Sequence, residues 1–215
     1  MIWPHTRTAS RGIRPMSIGT PEIYQHDQFV ARRQVFRFFG AGFTLSSLDG
    51  IVLAASEQKA FKLKEDIRVH EGSAAGVEIL NIKADRVIDF SACYQVTDSN
   101  TGEHIGSLRR KGWSSIFRDA WEILDAQGII RGRVTEDNPW KAAVRRFIEY
   151  AAFFLPQTFH IEVEGQVVGT MKQNFNPFVQ KFAVDLTHDA EGVLPRPLAV
   201  ATVILLLAIE GRQQG

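Results

Sequence analysis

The densest cationic run in the chain is Arg109-Arg110-Lys111, and Arg131, Arg133 and Lys172 recur at related places further on. Guanidinium and ammonium groups set side by side suit a phosphate or an anionic head group, Arg offering a planar fork of donors and Lys a point charge. Such a site has to be local. Twenty-five Lys and Arg against 24 Asp and Glu leave a net charge of +1, too little to draw the whole protein toward nucleic acid or an anionic membrane. The alternative is a solvated charge row neutralised by acids such as Glu103 and Glu136.

Other constellations are weaker. His160, Glu162 and Glu164 fall on one strand face and have the side chains of metal ligands, but a polar face opposite Phe159, Ile161 and Val163 accounts for them without a metal. His5, His26, His70, His104 and His188 show no ligand-like spacing. There is no nucleophile elbow, P-loop or dinucleotide-binding glycine fingerprint. The lone Cys93 cannot form an internal disulfide, and its alternating apolar neighbours read as a packed thiol in a reducing compartment, with no base nearby to activate it. The expectation is a protein without catalytic residues and without a cofactor.

The elements that carry these residues are mostly short strands. Four hairpins share one pattern. Each opens with an aromatic and an aliphatic residue two apart, on one face of a strand: Phe43 with Leu45, Tyr94 with Val96, Trp121 with Ile123, and Phe159 with Ile161. A glycine turn follows at Asp49-Gly50, Asp98 to Gly102, Ala126 to Gly128 and Glu164-Gly165, then a small residue at Ala54, Gly106, Gly132 or Gly169. A glycine recurring inside strands marks either close approach of another element or a bulge that bends the strand, and both close the sheet. Single strands are expected at 29–38, 51–56, 67–71, 77–83 and 178–186, giving about twelve in all, a number at which sheets tend to curl or close. If the second arms of the hairpins are neighbours, their outward cations line up as one patch.

Two helices complete the reading. The run Leu198 to Ile209 is apolar on every side and has 12 residues, about 18 Å of helix where a bilayer core asks for about 30 Å. Pro195 and Pro197 suit its start and Gly211 its end. A helix with no polar stripe must be surrounded by protein, and a closed sheet is the simplest surround. A second helix is expected after Asp137 or Asn138, with Pro139 in its first turn and Trp140, Val144, Phe147, Ile148 and Ala151 as an apolar stripe, packed outside the barrel and stopped by Pro156. Residues 1–27 read as a disordered or loosely ordered basic leader, with Arg7, Arg11 and Arg14 and no apolar core of a secretory signal, and 28–213 as one domain.

With these residues set out, the chain resembles the tubby-like superfamily, above all its LURP-one-related and phospholipid scramblase-like branch. The resemblance is carried, in order, by Tyr94-Gln95-Val96-Thr97-Asp98, by Gly106-Ser107-Leu108-Arg109-Arg110-Lys111-Gly112, by Arg145-Arg146-Phe147, by the stretch Gly169 to Pro177 and by the final apolar helix ending Ile209 to Gln213. It implies a twelve-stranded barrel threaded by its C-terminal helix. Functions in the superfamily include phosphoinositide binding and proposed calcium-dependent lipid scrambling. Two scramblase hallmarks are missing here. Those proteins carry a cysteine cluster for acylation, whereas this chain has Cys93 alone. They also carry an acidic calcium segment before the final helix. In the matching region here Asp185, Thr187 and Asp189 could serve as early ligands, but Arg196 stands where a closing Glu belongs, so Asp185 and Asp189 are weak calcium candidates only. Asp98, Asn100 and Gly102 depart from a calcium loop likewise and read as a plain hairpin turn.

The expected protein is therefore mainly β, a closed antiparallel barrel of about twelve strands around a central hydrophobic helix with one amphipathic helix outside. Its expected role is non-enzymatic and cytoplasmic, binding an anionic phospholipid or membrane surface, or a protein partner, through Arg109, Arg110, Lys111, Arg131, Arg133 and Lys172. Scramblase-like activity and a small-molecule or nucleic-acid scaffold are the alternatives, nucleic acid being disfavoured by the near-neutral charge.

Overall fold

A computed structural model describes residues 19–36, 40–58, 66–85, 92–110, 121–136, 157–174 and 181–210. Twelve strands follow one another along the chain: β1 (Gln28–Phe36), β2 (Gly40–Ser46), β3 (Val52–Gln58), β4 (Asp66–Glu71), β5 (Glu78–Ala84), β6 (Cys93–Asp98), β7 (His104–Arg110), β8 (Trp121–Asp125), β9 (Ile130–Glu136), β10 (Thr158–Val163), β11 (Gln166–Gln173) and β12 (Lys181–Asp185). Each pairs antiparallel with its predecessor, and β12 pairs with β1 to close the barrel. The C-terminal helix α1 (Arg196–Glu210) follows.

The alternation read from the sequence sorts side chains as expected for a sheet with one face dry. Phe43, Leu45, Tyr94, Val96, Trp121, Ile123, Phe159, Ile161, Phe182 and Val184 are all buried in one core. Tyr94 packs on Trp121 with ring centroids 5.9 Å apart, and Phe159 on Phe182 at 6.0 Å. The centre of that core is α1. Every residue from Leu198 to Ala208 is buried, so the helix is sheathed on all sides as its composition requires. Its one polar side chain there, Thr202, donates its hydroxyl to Leu198 O at 2.8 Å, so the buried stretch of the helix carries no unsatisfied side chain of its own. Ala199 N–H to Pro195 O starts the helix where the prolines predict. Each buried Leu, Ile or Val contributes about 1.5–3 kcal/mol, so the helix is a large share of what holds the sheet shut.

The recurring small residues have a geometric cause. Five hairpins slip register at the same place, leaving one extra residue on the second arm: Leu53, Ile79, Ile105, Arg131 and Val168. These are β-bulges, which bend and twist a strand, and the residue after each is Ala54, Leu80, Gly106, Gly132 or Gly169. At Gly132 a Cβ would run into the backbone carbonyl of Glu162. At Gly106 it would meet that of Leu124, with Leu198 Cδ2 of α1 at 3.2 Å. Bulge and close helix approach thus coincide at Gly106.

The sequence reading is amended in three places. Residues 19–27, assigned to the leader, hold a 3-10 turn over Glu22–Gln25 whose Ile23 and Tyr24 join the core. A fifth hairpin, β4–β5, completes a set read as four. Cys93 pairs with Arg109 on the outer face and is half-buried; burial pushes its thiol up, Arg109 opposing. The expected helix from Asp137 to Pro156, Phe178 and Gly211 lie outside the described residues.

Candidate functional site

The second arms of successive hairpins are not neighbours in this barrel. In a meander each is separated from the next by an opening arm, so β8 stands between β7 and β9, and β10 between β9 and β11. The opening arms bring acids. Arg109 faces Glu122 across β7–β8, Glu122 faces Arg133 across β8–β9, and Arg133 faces Glu162 across β9–β10. The result is an outer ladder of alternating sign, the favourable case for directly opposed side chains. Arg109 donates Nε–H and Nη2–H to Glu122 Oε2 at 2.8 and 2.6 Å, and Arg133 Nε–H to Glu162 Oε2 at 2.7 Å. Glu122, almost fully buried on the outer face, was not singled out in the sequence. Its place between Trp121 and Ile123, on the opposite parity from both, is the signal that could have found it.

The remaining cations sit differently. Arg110 pairs with Trp121, whose side chain faces the core, so Arg109 and Arg110 lie on opposite faces of β7 as strand alternation demands. Lys111 lies outside the described residues. Lys172, exposed on β11, pairs with Thr158 and Ala183 and is a strand removed from the ladder. Arg131, at the bulge, donates Nε–H to the buried Asp125 carboxylate at 2.8 Å and approaches Glu164 at 3.8 Å. A cleft of about 410 Å³ opens on this wall, lined by Glu122, Arg131, Arg133, Thr135, Glu162 and Glu164 among others. The three residues drawn from the sequence as metal ligands separate: Glu162 joins Arg133, and Glu164 turns away at a positive φ of 51° in the β10–β11 link.

A sequence model of LURP-one-related proteins matches residues 52–207, from the first residue of β3 into α1. The chain belongs to the LURP-one-related family. A solved structure of an Arabidopsis thaliana protein is similar with a TM-score of 0.48 and 10% sequence identity, over 85% of this chain and 91% of that one. No curated protein matches the sequence. In this LURP-one-related chain β1 and β2 lie outside the matched residues, yet they complete the barrel through β1–β12 and β2–β3.

Charge in this LURP-one-related barrel is segregated along its axis. One rim gathers the hairpin links 47–51, 72–77, 99–103, 126–129 and 164–165, the approach 19–27 to β1, and the link 186–195 into α1. Counted with the two residues of each flanking element, these segments hold 13 Asp and Glu against two cations, Arg131 and Arg196, a net −11. Among the described residues outside this rim, nine Lys and Arg stand against six Asp and Glu, a net +3. The wall is polar outside and apolar inside, the inverse of a barrel that spans lipid with its strands. Among the described residues no helix is long and apolar enough to cross a membrane.

The weak calcium candidates lie on the acidic rim. Asp185 accepts from Thr187 N–H and Oγ1–H and from Gln28 Nε2–H, and the bonds from Thr187 hold its carboxyl below the ordinary range. Asp189 is buried, which pushes its carboxyl up, although Val193 and Leu194 N–H and the Arg196 guanidinium, 4.0 Å away, oppose this. Arg196 also binds Asp27 at 2.6 Å. The two carboxylates are turned to different partners, and at Asp189 a guanidinium supplies the positive charge. The donor set does not fit a calcium ion. Asp98 Oδ1 accepts from Asn100 and Thr101 N–H in the hairpin turn read from the sequence.

Proposed function

We propose that this LURP-one-related barrel is a non-enzymatic protein that binds an anionic phospholipid surface through the part of its wall remote from the acidic rim, beginning with Arg109 and Arg110 at the end of β7 and with Lys111, the next residue in the sequence. The observation that carries this reading is the charge segregation. With a net charge of −11 at one rim and +3 over the other described residues, the molecule is oriented by the field of an anionic leaflet. The pairing of Arg109 with Glu122 and of Arg133 with Glu162 limits how many cations a head group can recruit, because each must first exchange a carboxylate partner. Affinity then comes from several weak contacts summed over a surface, and salt weakens it. Calcium-dependent scrambling finds no support in Asp185 and Asp189, whose oxygens are already engaged.

Co-sedimentation with phosphatidylcholine vesicles, with and without a phosphoinositide, tests the proposal. The wild-type protein pellets with the phosphoinositide vesicles, and the Arg109→Ala/Arg110→Ala/Lys111→Ala variant pellets less. Equal pelleting of the two proteins, or none by either, sinks it.

A further inference from the structure

Seven large hydrophobic side chains are exposed among the described residues, and all seven lie beside hairpin links on the acidic rim. Four of them belong to two adjoining hairpins: Leu48 (64% exposed), Ile51 (62%) and Val52 (44%) at the β2–β3 tip, and Val77 (54%) at the β4–β5 tip. The tips are physically joined. Gly72 N–H donates to Leu53 O at 2.9 Å, and Glu71 N–H to Val77 O at 2.8 Å, so a continuous backbone bridge connects the two hairpins. Scattered exposed apolar residues are ordinary on a protein surface, but ones gathered on one rim mark a contact surface.

The frame around these side chains says what they contact. Asp49 lies between Leu48 and Ile51; Glu71 accepts from Glu22 N–H at 3.0 Å; and the whole rim carries −11 with no lysine. Its two arginines, Arg131 and Arg196, are both held by aspartates. An anionic leaflet is repelled by such a surface, whereas a cationic protein segment is steered to it.

We infer that the β2–β3 and β4–β5 tips dock a cationic amphipathic segment of a protein partner, its apolar face on Leu48, Ile51, Val52 and Val77 and its Lys or Arg side chains on the surrounding carboxylates. The apolar anchors of an amphipathic segment supply the contact, and charge sets its orientation. The inference does not rest on the lipid reading, which concerns other residues on another part of the wall.

Fluorescence anisotropy with a labelled Leu/Lys amphipathic helical peptide, and with a Leu/Glu peptide of the same length, tests it on the full chain. The Leu/Lys peptide binds the wild-type protein, added salt weakens binding, and the Leu/Glu peptide does not bind. The Leu48→Gln/Ile51→Gln/Val77→Thr variant, whose side chains are exposed and whose thermal unfolding is checked alongside, binds at least about tenfold more weakly, since each apolar group lost from the contact removes a factor of that order. The Glu22→Gln/Asp49→Asn variant weakens binding and flattens its salt dependence. The Arg109→Ala/Arg110→Ala/Lys111→Ala variant binds the peptide as the wild type does. Unchanged binding by the apolar variant, equal binding of the Leu/Glu peptide, or pelleting of the wild type on phosphatidylserine vesicles that is lost in the apolar variant would overturn the inference.

Discussion

In the β2–β3 hairpin the turn is held by Ser47: its N–H donates to Ile51 O, its carbonyl accepts from Gly50 N–H, and its hydroxyl accepts from Ile51 N–H at 3.1 Å. In the β8–β9 hairpin Asp125 does the same with Ile129 and Gly128, its Oδ1 accepting from Ile129 N–H at 2.9 Å. The bulge that follows is also shared. Yet the bulged residue is Leu53 in one hairpin, buried in the core, and Arg131 in the other, paired with Asp125. Apolar residues hold the bulge at Ile79, Ile105 and Val168 as well. One backbone device therefore accepts two kinds of closure, an apolar plug or a buried carboxylate with its guanidinium, and the turn residue changes with the bulge residue to suit.

The largest effect in this comparison is expected at Asp125. Asp125→Ala removes the acceptor of Gln127 N–H, Ile129 N–H and Arg131 Nε–H together and should cost about 2–4 kcal/mol in urea unfolding. Burial pushes the Asp125 carboxyl up, but those three bonds more than offset it and hold the group below its ordinary value. A carboxyl lowered in the folded state lends stability above its unfolded value of about 3.9 and loses it as pH falls through the folded one. The gap between wild type and Asp125→Ala should accordingly narrow below about pH 4, and a gap that widens there would contradict the assignment.

The next effect is a coupling. Arg131→Leu alone leaves a buried carboxylate without its counter-charge, whereas Asp125→Ser/Arg131→Leu recreates the Ser47 and Leu53 arrangement. The double variant should be more stable than Arg131→Leu, with a coupling of about 0.5–3 kcal/mol in a double-mutant cycle. Additive losses would show that the two hairpins are not interchangeable. The smallest effect is expected from Ser47→Ala, which removes one side-chain acceptor from a part-buried turn and should lower stability by about 0.5–1.5 kcal/mol.

How much of this was legible beforehand depended on periodicity. Alternation and helix length were enough for the barrel and its central helix, because both are dictated by which face must be dry. The repeat of aromatic opening, glycine turn and small residue located four hairpins. It passed over β4–β5, where Ile67 and Val69 replace the aromatic pair and Leu80 fills the small-residue position. The candidate site was less legible. Residue types and hairpin membership pointed to Arg109, Arg131, Arg133 and Lys172, but what each cation faces is set by register with the opening arms, and Glu122 and Glu162 stand in between. The hydrophobic rim escaped notice because Leu48, Ile51 and Val77 read along the chain as ordinary strand ends.

The encircled helix has a consequence for how the molecule is made. α1 follows all twelve strands in chain order, so every strand leaves the ribosome before the element that fills the space between them. Until α1 arrives the nascent sheet exposes its Phe, Trp and Ile lining, the kind of surface that aggregates or recruits chaperones. Ring closure itself joins β1 to β12, pairing Gln28 with Asp185 across 157 positions of sequence. Long-range pairing of that sort is slow, and birth of the native state is a late event for this polypeptide.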